Sequence, residues 1–423
     1  MAPSAIPIEP TGHALTDNGV LHTIQETAPS SLGKANGFSH TAPKLAELNA
    51  SLCEFTPTTS PKTVPLPDSA EQSSHKVCTD HMVTVNWTTK TGWQTPQIKE
   101  YGPIALMPTA SCLHYATECF EGMKLYRGYD GKLRLFRPEL NAARMVKSST
   151  RIALPAFDPE EFLKLVVKLC QKDGKKWLPK ERPGQFLYLR PTMIANDPFL
   201  GVQKPTEAML YIIMCCFPNM DAKEGGMKLL ASKDNSVRAW PGGHGFAKVG
   251  ANYGPALVAQ HEARSLGYDQ VLWLFGPHGE VTEAGASNFF VLWKTPSGNL
   301  ELVTAPLVDQ TILDGVTRRS VLALAREHLP GIEVVERKFN ISEIVDASNE
   351  GRIVEAFVCG TAFFVAGISE IRYKDTTIDI PIVNEDGTGR YAGELKSMLK
   401  GIMYGTNGFE KHDWGFVVEE DAN

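Results

Sequence analysis

Residues 237–254 read VRAWPGGHGFAKVGANYG, and the reading of this stretch organises the rest of the chain. Gly242, Gly243 and Gly245 precede Lys248, and Gly250 and Gly254 follow it. Backbone so rich in glycine can take positive-φ turns and approach a ligand closely. Lys248 is therefore expected to be held on a turn, with Arg238 the other lysine or arginine of the stretch. Pro255 suits the first position of a helix, which is expected to run through Leu257, Val258 and His261 and stop at Gly267. A lysine acts as a Schiff-base nucleophile where desolvation or a neighbouring cation favours its neutral form. Arg238 and the apolar neighbours are candidates for both effects. As a bare string the stretch also suits a glycine-rich surface loop with a solvated lysine. A phosphate-binding P-loop is excluded by its letters, because GxxxxGK[ST] needs glycine before the lysine and a hydroxyl after it. Here Ala247 and Val249 flank Lys248.

Outward from this stretch, 423 residues suggest about two domains. With 43% hydrophobic and 21% charged residues, the composition is that of a globular protein. A net charge of -6 argues against a nucleic-acid partner, which calls for basic clustering. No apolar run approaches the roughly 20 residues of a membrane span. Eight cysteines with no CxxC pair make no disulfide framework, and Cys215-Cys216, inside the apolar run 209–217, are expected to be buried in a strand. A reducing, intracellular setting follows. Residues 1–75 are rich in Ser, Thr, Pro and Ala and are expected to form a largely disordered extension. A mitochondrial transit peptide is Arg-rich and acid-poor, whereas here the first arginine is Arg127 and Glu9, Asp17 and Glu26 come early. That favours the cytosol, with the mitochondrion as the alternative.

The alternating HMVTVNW at 81–87 reads as a strand that residues 97–103 end with turn chemistry. Asp130-Gly131 divides KLYRGY from KLRLFR as a hairpin turn, and Pro138 opens a helix containing Arg144. Asp158 caps a second helix whose Phe162, Leu165, Val166 and Leu169 recur at helical spacing. Two strands, QFLYLRPTMI and AMLYIIMCCF, close a first domain over 76–217, and the polar 218–226 reads as a linker. Within 227–423 come MKLLAS, the lysine stretch, DQVLWLF, SNFFVLW, a helix from Asp314 to His328, the strand EVVERKF and the helix ISEIVDASNEG. Strands and helices mix without a βαβ repeat, which predicts an α+β fold. No GxGxxG follows a strand, which removes the dinucleotide reading.

The strings TDHM, LHYATECFEGMK, RLFRPELNAARM, LYLRP, RAWPGGHGFAKVGANYG, QVLWLFGP, VTEAGASNFFV and GTAF occur in this order between residue 79 and the last third of the chain. Together they resemble the eukaryotic branched-chain aminotransferases, which are fold-type IV pyridoxal-phosphate enzymes. The resemblance implies a smaller N-terminal and a larger C-terminal domain with the site between them. It also implies homodimers, and transfer of the amino group of leucine, isoleucine or valine to 2-oxoglutarate. Lys248 then corresponds to the lysine that bonds pyridoxal 5'-phosphate and shuttles the proton, and Glu283 to the carboxylate facing the pyridine nitrogen. Arg144 and Thr361 correspond to phosphate ligands. The amides around Thr311 and Ile312 are expected to complete the phosphate cup. Tyr253 corresponds to the partner of the ring oxygen, with Arg238 close by.

By the same resemblance Tyr115, Phe120, Tyr188, Val202 and Ala362 wall the substrate pocket, Tyr115 and Val202 doing so across a dimer interface. Arg190 is the candidate partner of glutamate's distal carboxylate, with Lys124 as a supporting cation. Two departures stand out. Where mammalian members carry a CxxC pair after the GTA turn, Phe363 and Ala366 stand here, so that thiol switch is expected to be absent. Ala286 replaces the threonine of some relatives. Two other readings share parts of this pattern. Another fold-type IV enzyme, such as a D-amino-acid transaminase or an aminodeoxychorismate lyase, would keep Lys248, Glu283 and Arg144, but LYLRP and FEGMK speak against it. A non-catalytic scaffold would have no need of all three.

Overall fold

The computed structural model describes residues 45–218, 224–362 and 364–421. Two large sheets organise them. Along the first, the strands run Glu54–Phe55, Gln97–Glu100, His81–Thr88, Glu207–Cys216, Phe186–Ala195, Met123–Arg127, Leu133–Phe136 and Gly415–Val418. Every neighbouring pair on this path except the first is antiparallel. The second sheet mixes parallel and antiparallel pairs. Six of its strands, Glu280–Ala284, Gln270–Phe275, Met227–Ala231, Phe364–Tyr373, Ile353–Gly360 and Ser287–Lys294, form a closed circuit because the first also pairs with the last. Helices beside largely antiparallel sheets make this the expected α+β fold.

The helix Pro159–Trp177 shows how local signals build the first layer. Asp158 accepts from Glu160 N at 2.8 Å, Pro159 opens the first turn, and Phe162, Leu165, Val166, Leu169 and Cys170 bury one face. That face joins the core formed by Val83, Val85, Leu189, Leu210, Ile212 and Met214 of the sheet. A further core ties the two sheets together: Tyr126, Phe136 and Phe186 from the first meet Phe290, Leu292 and Phe357 from the second. The helices Val316–His328 and Arg390–Tyr404 supply Val321, Leu324, Leu395 and Leu399 to the same core.

Several expectations change. From Leu45 onward the chain belongs to one compact unit, so the second half of the supposed extension, 45–75, is structured. Leu48 and Ala50 are buried in the first core, Glu54–Phe55 pairs with Gln97–Glu100, and Thr58 N donates to His81 Nε2 at 2.9 Å. Sparse apolar residues suffice here because an existing sheet edge accepts their backbone. Residues 1–44 lie outside the described residues, as do 219–223 of the supposed linker and Phe363. Residues 97–100 are a strand and not a turn. The helix placed from Asp314 starts at Val316, with Gly315 as its N-cap. Pro255 sits in a short 3-10 turn before the helix Leu257–Ser265. The first sheet also recruits Gly415–Val418, so the expected split into 76–217 and 227–423 is not contiguous in space. Cys215 and Cys216 are buried in a strand as expected.

Candidate active site

The loop of Lys248 is pinned from both sides. Lys248 N donates to Ser148 Oγ at 2.8 Å, Phe120 N donates to Lys248 O at 3.0 Å, and Val249 bridges Cys119. Inside the loop, Asn252 Nδ2 donates to the carbonyls of His244 and Ala247. Of the five glycines only Gly242 has positive φ. Gly250 serves close approach instead, since a Cβ there would lie 2.0 Å from Glu118 Oε1. The Lys248 side chain ends 2.9 Å from Tyr253 Oη and lies over the Phe120 ring at 4.8 Å.

This amine faces a cavity of about 680 Å³ shared by both sheets. A groove of about 760 Å³ elsewhere is walled mostly by Trp87, Trp93, Leu154, Phe157 and other apolar groups. Size does not select the site; the convergence of arginines, a lysine and carboxylates does.

Glu283 reaches the cavity because Glu280–Ala284 and Ser287–Lys294 are joined by a tight hairpin at Gly285, whose φ is +58°. The carboxylate is buried. Its Oε1 accepts from Leu313 N at 2.9 Å and Asn288 Nδ2 at 3.1 Å. Its Oε2 lies 2.7 Å from Arg238 Nη1, but the two atoms are not aligned for a hydrogen bond, and neither has another partner. Burial pushes the Glu283 carboxyl above the ordinary glutamate value, with Arg238 and the Leu313 amide only partly opposing it. Arg238 thus stands against Glu283 and not against Lys248.

Arg144, on the helix Pro138–Arg151, is held bidentately by Glu121: Nε donates to Oε1 at 2.7 Å and Nη2 to Oε2 at 2.9 Å. Its Nη1 donates to Asp314 O at 3.0 Å. Asn141 Nδ2 and Gly122 N complete the Glu121 shell at 2.8 and 3.1 Å. Burial would raise the Glu121 carboxyl, yet the charge and hydrogen bonds of Arg144 outweigh it and hold the group below its ordinary range.

Next to Arg144 lies the start of the Val316–His328 helix. Gly315, Val316 and Thr317 line the cavity, whereas Thr311 and Ile312 are buried away from its wall. The expected cup is thereby relocated by about one helical turn. Unpaired amides at a helix N-terminus and the local dipole attract anions. Gly315 leaves room there, because a Cβ would meet Asn288 Oδ1 at 2.2 Å.

Phe120, Tyr188, Arg190, Thr361 and Ala362 also line the cavity, all brought together as expected. Arg190 Nη2 donates to Tyr188 Oη at 3.1 Å, and its Nε is buried without a partner. Gly122 must stay small, since a Cβ would approach Tyr188 Oη to 2.2 Å. Lys124 donates to Ala362 O at 2.9 Å and so supports the Thr361-Ala362 turn. Ala286 also lines the cavity. Tyr115 and Val202 do not: they are surface residues, Val202 being 89% exposed. The sequence reading missed Glu121, Asn288, Val316 and Thr317. A signal existed for Glu121, which stands between the apolar Phe120 and Gly122-Met123 just after the strand Glu118–Phe120, where a carboxylate needs a buried cation.

The cavity therefore offers an amine, an unsatisfied buried carboxylate oxygen opposite, and an anion cradle between Arg144 and a helix N-terminus. These groups fit a phosphorylated pyridine aldehyde: the helix start and Arg144 would hold the phosphate, Glu283 Oε2 would accept from the ring N–H, and Lys248 would take the aldehyde carbon.

Residues 118–371 match the family described as Amino-transferase class IV. The chain is 47% identical over 89% of its length to the cytosolic branched-chain-amino-acid aminotransferase of Saccharomyces cerevisiae, covering 99% of that protein. Its fold is similar to that of a branched-chain aminotransferase from Thermoproteus uzoniensis solved with norvaline. The TM-score is 0.62 and the identity 22%, over 80% of this chain and 100% of that one. It is also similar to a T.th. branched-chain amino acid aminotransferase complexed with N-(5'-phosphopyridoxyl)-L-glutamate. There the TM-score is 0.60 and the identity 22%, over 79% and 98% of the two chains.

Proposed function

Because the chain belongs to the class IV aminotransferases and, among them, to the branched-chain-amino-acid aminotransferases, we propose that its cavity binds pyridoxal 5'-phosphate and moves the amino group of L-leucine, L-isoleucine or L-valine to 2-oxoglutarate. The products are the branched 2-oxo acid and L-glutamate, and the reaction is reversible. The observation that carries this reading is the shared cavity of Lys248, Glu283, Arg144 and the Val316 helix start. The bound cofactor supplies an electron sink for the bond broken at the substrate Cα.

The chain's own groups do the rest. Lys248 Nζ would hold the cofactor's carbonyl carbon and serve as the base that moves the proton at the substrate Cα. Tyr253 Oη, 2.9 Å from that amine, would orient it and could donate to the ring oxygen. Glu283 Oε2 would accept from a ring N–H. Arg144, Thr317 and the amides of Val316 and Thr317 would hold the phosphate, with Thr361 at its edge. Phe120, Tyr188 and Ala362 make an apolar wall for the branched side chain. Arg190 pairs with glutamate's distal carboxylate, and its partnerless Nε supports this role.

We read the protein as a homodimer in which Tyr115 and Val202 of one protomer close the site of its partner. Exposed Met107, Leu113, Phe199 and Leu200 near them in sequence favour a covered surface. No described helix is long and apolar enough to cross a membrane; a cytosolic location is supported by the S. cerevisiae relative.

The test is the visible spectrum of the protein loaded with pyridoxal 5'-phosphate. A band that decays with L-leucine but not D-alanine, with glutamate formed from 2-oxoglutarate, is expected. Lys248→Ala should lack the band and lose about 10⁴-fold or more in kcat. A band indifferent to L-leucine would remove the substrate reading, and no band would remove the cofactor reading.

A further inference from the structure

Glu121 is the most deeply buried carboxylate beside the cavity, and the mechanism above does not use it. Its chemistry is not that of an acid or base. Four N–H groups fill its two oxygens: Arg144 Nε on Oε1, and Arg144 Nη2, Asn141 Nδ2 and Gly122 N on Oε2. It is also absent from the cavity wall, so it is not placed to take a substrate proton. What it does control is Arg144. A guanidinium carries five N–H groups; Nε and Nη2 each give one to Glu121 and Nη1 gives one to Asp314 O. Two remain, one on each Nη nitrogen, and these are the ones available to an anion in the cavity. Because a bidentate pair fixes the plane of the guanidinium, Glu121 also fixes where that remaining edge points.

We propose that Glu121 is a positioning residue for the cofactor: it locks Arg144 in the orientation that receives the phosphate. This rests on the cofactor reading above. A carboxylate present only to balance a buried arginine would leave recognition of the phosphate untouched, and selectivity for the phosphorylated ligand separates the two roles.

The experiment uses full-length protein in Glu121→Gln, Glu121→Asp and wild type, with pyridoxal 5'-phosphate and its phosphate-free form, pyridoxal, as probes. The quantity read is the dissociation constant of each. Glu121→Gln keeps the volume but loses the charge and points an amide at Arg144. It is expected to weaken binding of pyridoxal 5'-phosphate about tenfold or more, the cost of one charge-assisted hydrogen bond, and to leave that of pyridoxal nearly unchanged. Glu121→Asp keeps the charge with a shorter reach, and binding of pyridoxal 5'-phosphate recovers in part. In an Arg144→Gln background, adding Glu121→Gln should cost little further affinity, because the two act as one unit. That pair also removes both charges together, which a buried site tolerates better than removal of one, so it serves where Glu121→Gln alone fails to fold. A wild-type band accompanied by unchanged affinity for pyridoxal 5'-phosphate in the variants overturns this inference alone. So does an equal loss for both probes. Absence of any band in wild type overturns the cofactor reading and this inference with it.

Discussion

Glu121 and Glu283 are both buried glutamates beside one cavity, and their environments push them in opposite directions. The Glu121 carboxyl is held down, with a bidentate arginine, an asparagine and an amide saturating it. The Glu283 carboxyl is pushed up, with one oxygen satisfied and the other facing an arginine it does not align with. Burial is nearly equal, so geometry of the partners decides the difference. A saturated carboxylate belongs to the scaffold, while one left with an open oxygen is set to meet a ligand.

The largest break of this contrast is in stability. Glu121→Ala leaves Arg144 buried and without its carboxylate, and should lower the unfolding free energy by about 3–5 kcal/mol. Glu283→Gln, with its partner already misaligned, should cost less than half of that. Equal losses in chemical denaturation of the cofactor-free proteins would mean that the two pairs are energetically alike.

Next comes catalysis. With Gln at 283 no negative charge supports the ring N–H, and kcat should fall about 100-fold, in line with the loss of one preorganised electrostatic contact. Circular dichroism should remain that of the wild type. A variant with near wild-type kcat would show that the open oxygen is not used.

The smallest effect lies in pH dependence, and its sign differs at the two residues. At Glu121, with a depressed value, stability is present above the ordinary glutamate value of 4.5 and lost as pH falls below it. At Glu283, with a raised value, stability is greatest below 4.5 and declines as pH rises through the raised value. Glu283→Gln should therefore flatten the decline above 4.5 in thermal melts of the cofactor-free protein. A flattening seen below 4.5 instead would reverse the assignment.

The legible parts were those whose signals are local. The Lys248 loop, the Asp158 cap, the Asp130-Gly131 hairpin and the alternating strands each carry their cause within a few residues. What escaped depends on partners far along the chain. Glu121 meets Arg144 only after a hairpin and a helix return the chain, and Arg238 finds Glu283 instead of Lys248 because the closed circuit of strands brings them together. The anion cradle was expected at Thr311 and Ile312 by resemblance alone, whereas Gly315, Val316 and Thr317, at the start of the helix, line the cavity. Residues 45–75 lack apolar periodicity, yet a neighbouring strand edge orders them. Tyr115 and Val202, matched by motif, are exposed and do not line the cavity of their own chain.

The strand Gly415–Val418 completes the first sheet beside Leu133–Phe136, and just beyond it Glu420 reaches the fully buried Arg127 at 2.5 Å. During synthesis on the ribosome, both of those partners emerge only after the whole second sheet has been made. The N-terminal layer must therefore wait with one edge open and one buried arginine without its carboxylate. Folding of that layer is tied to synthesis of residues 415–420, and a fragment ending before residue 415 presents an exposed sheet edge, the feature that invites premature association between chains.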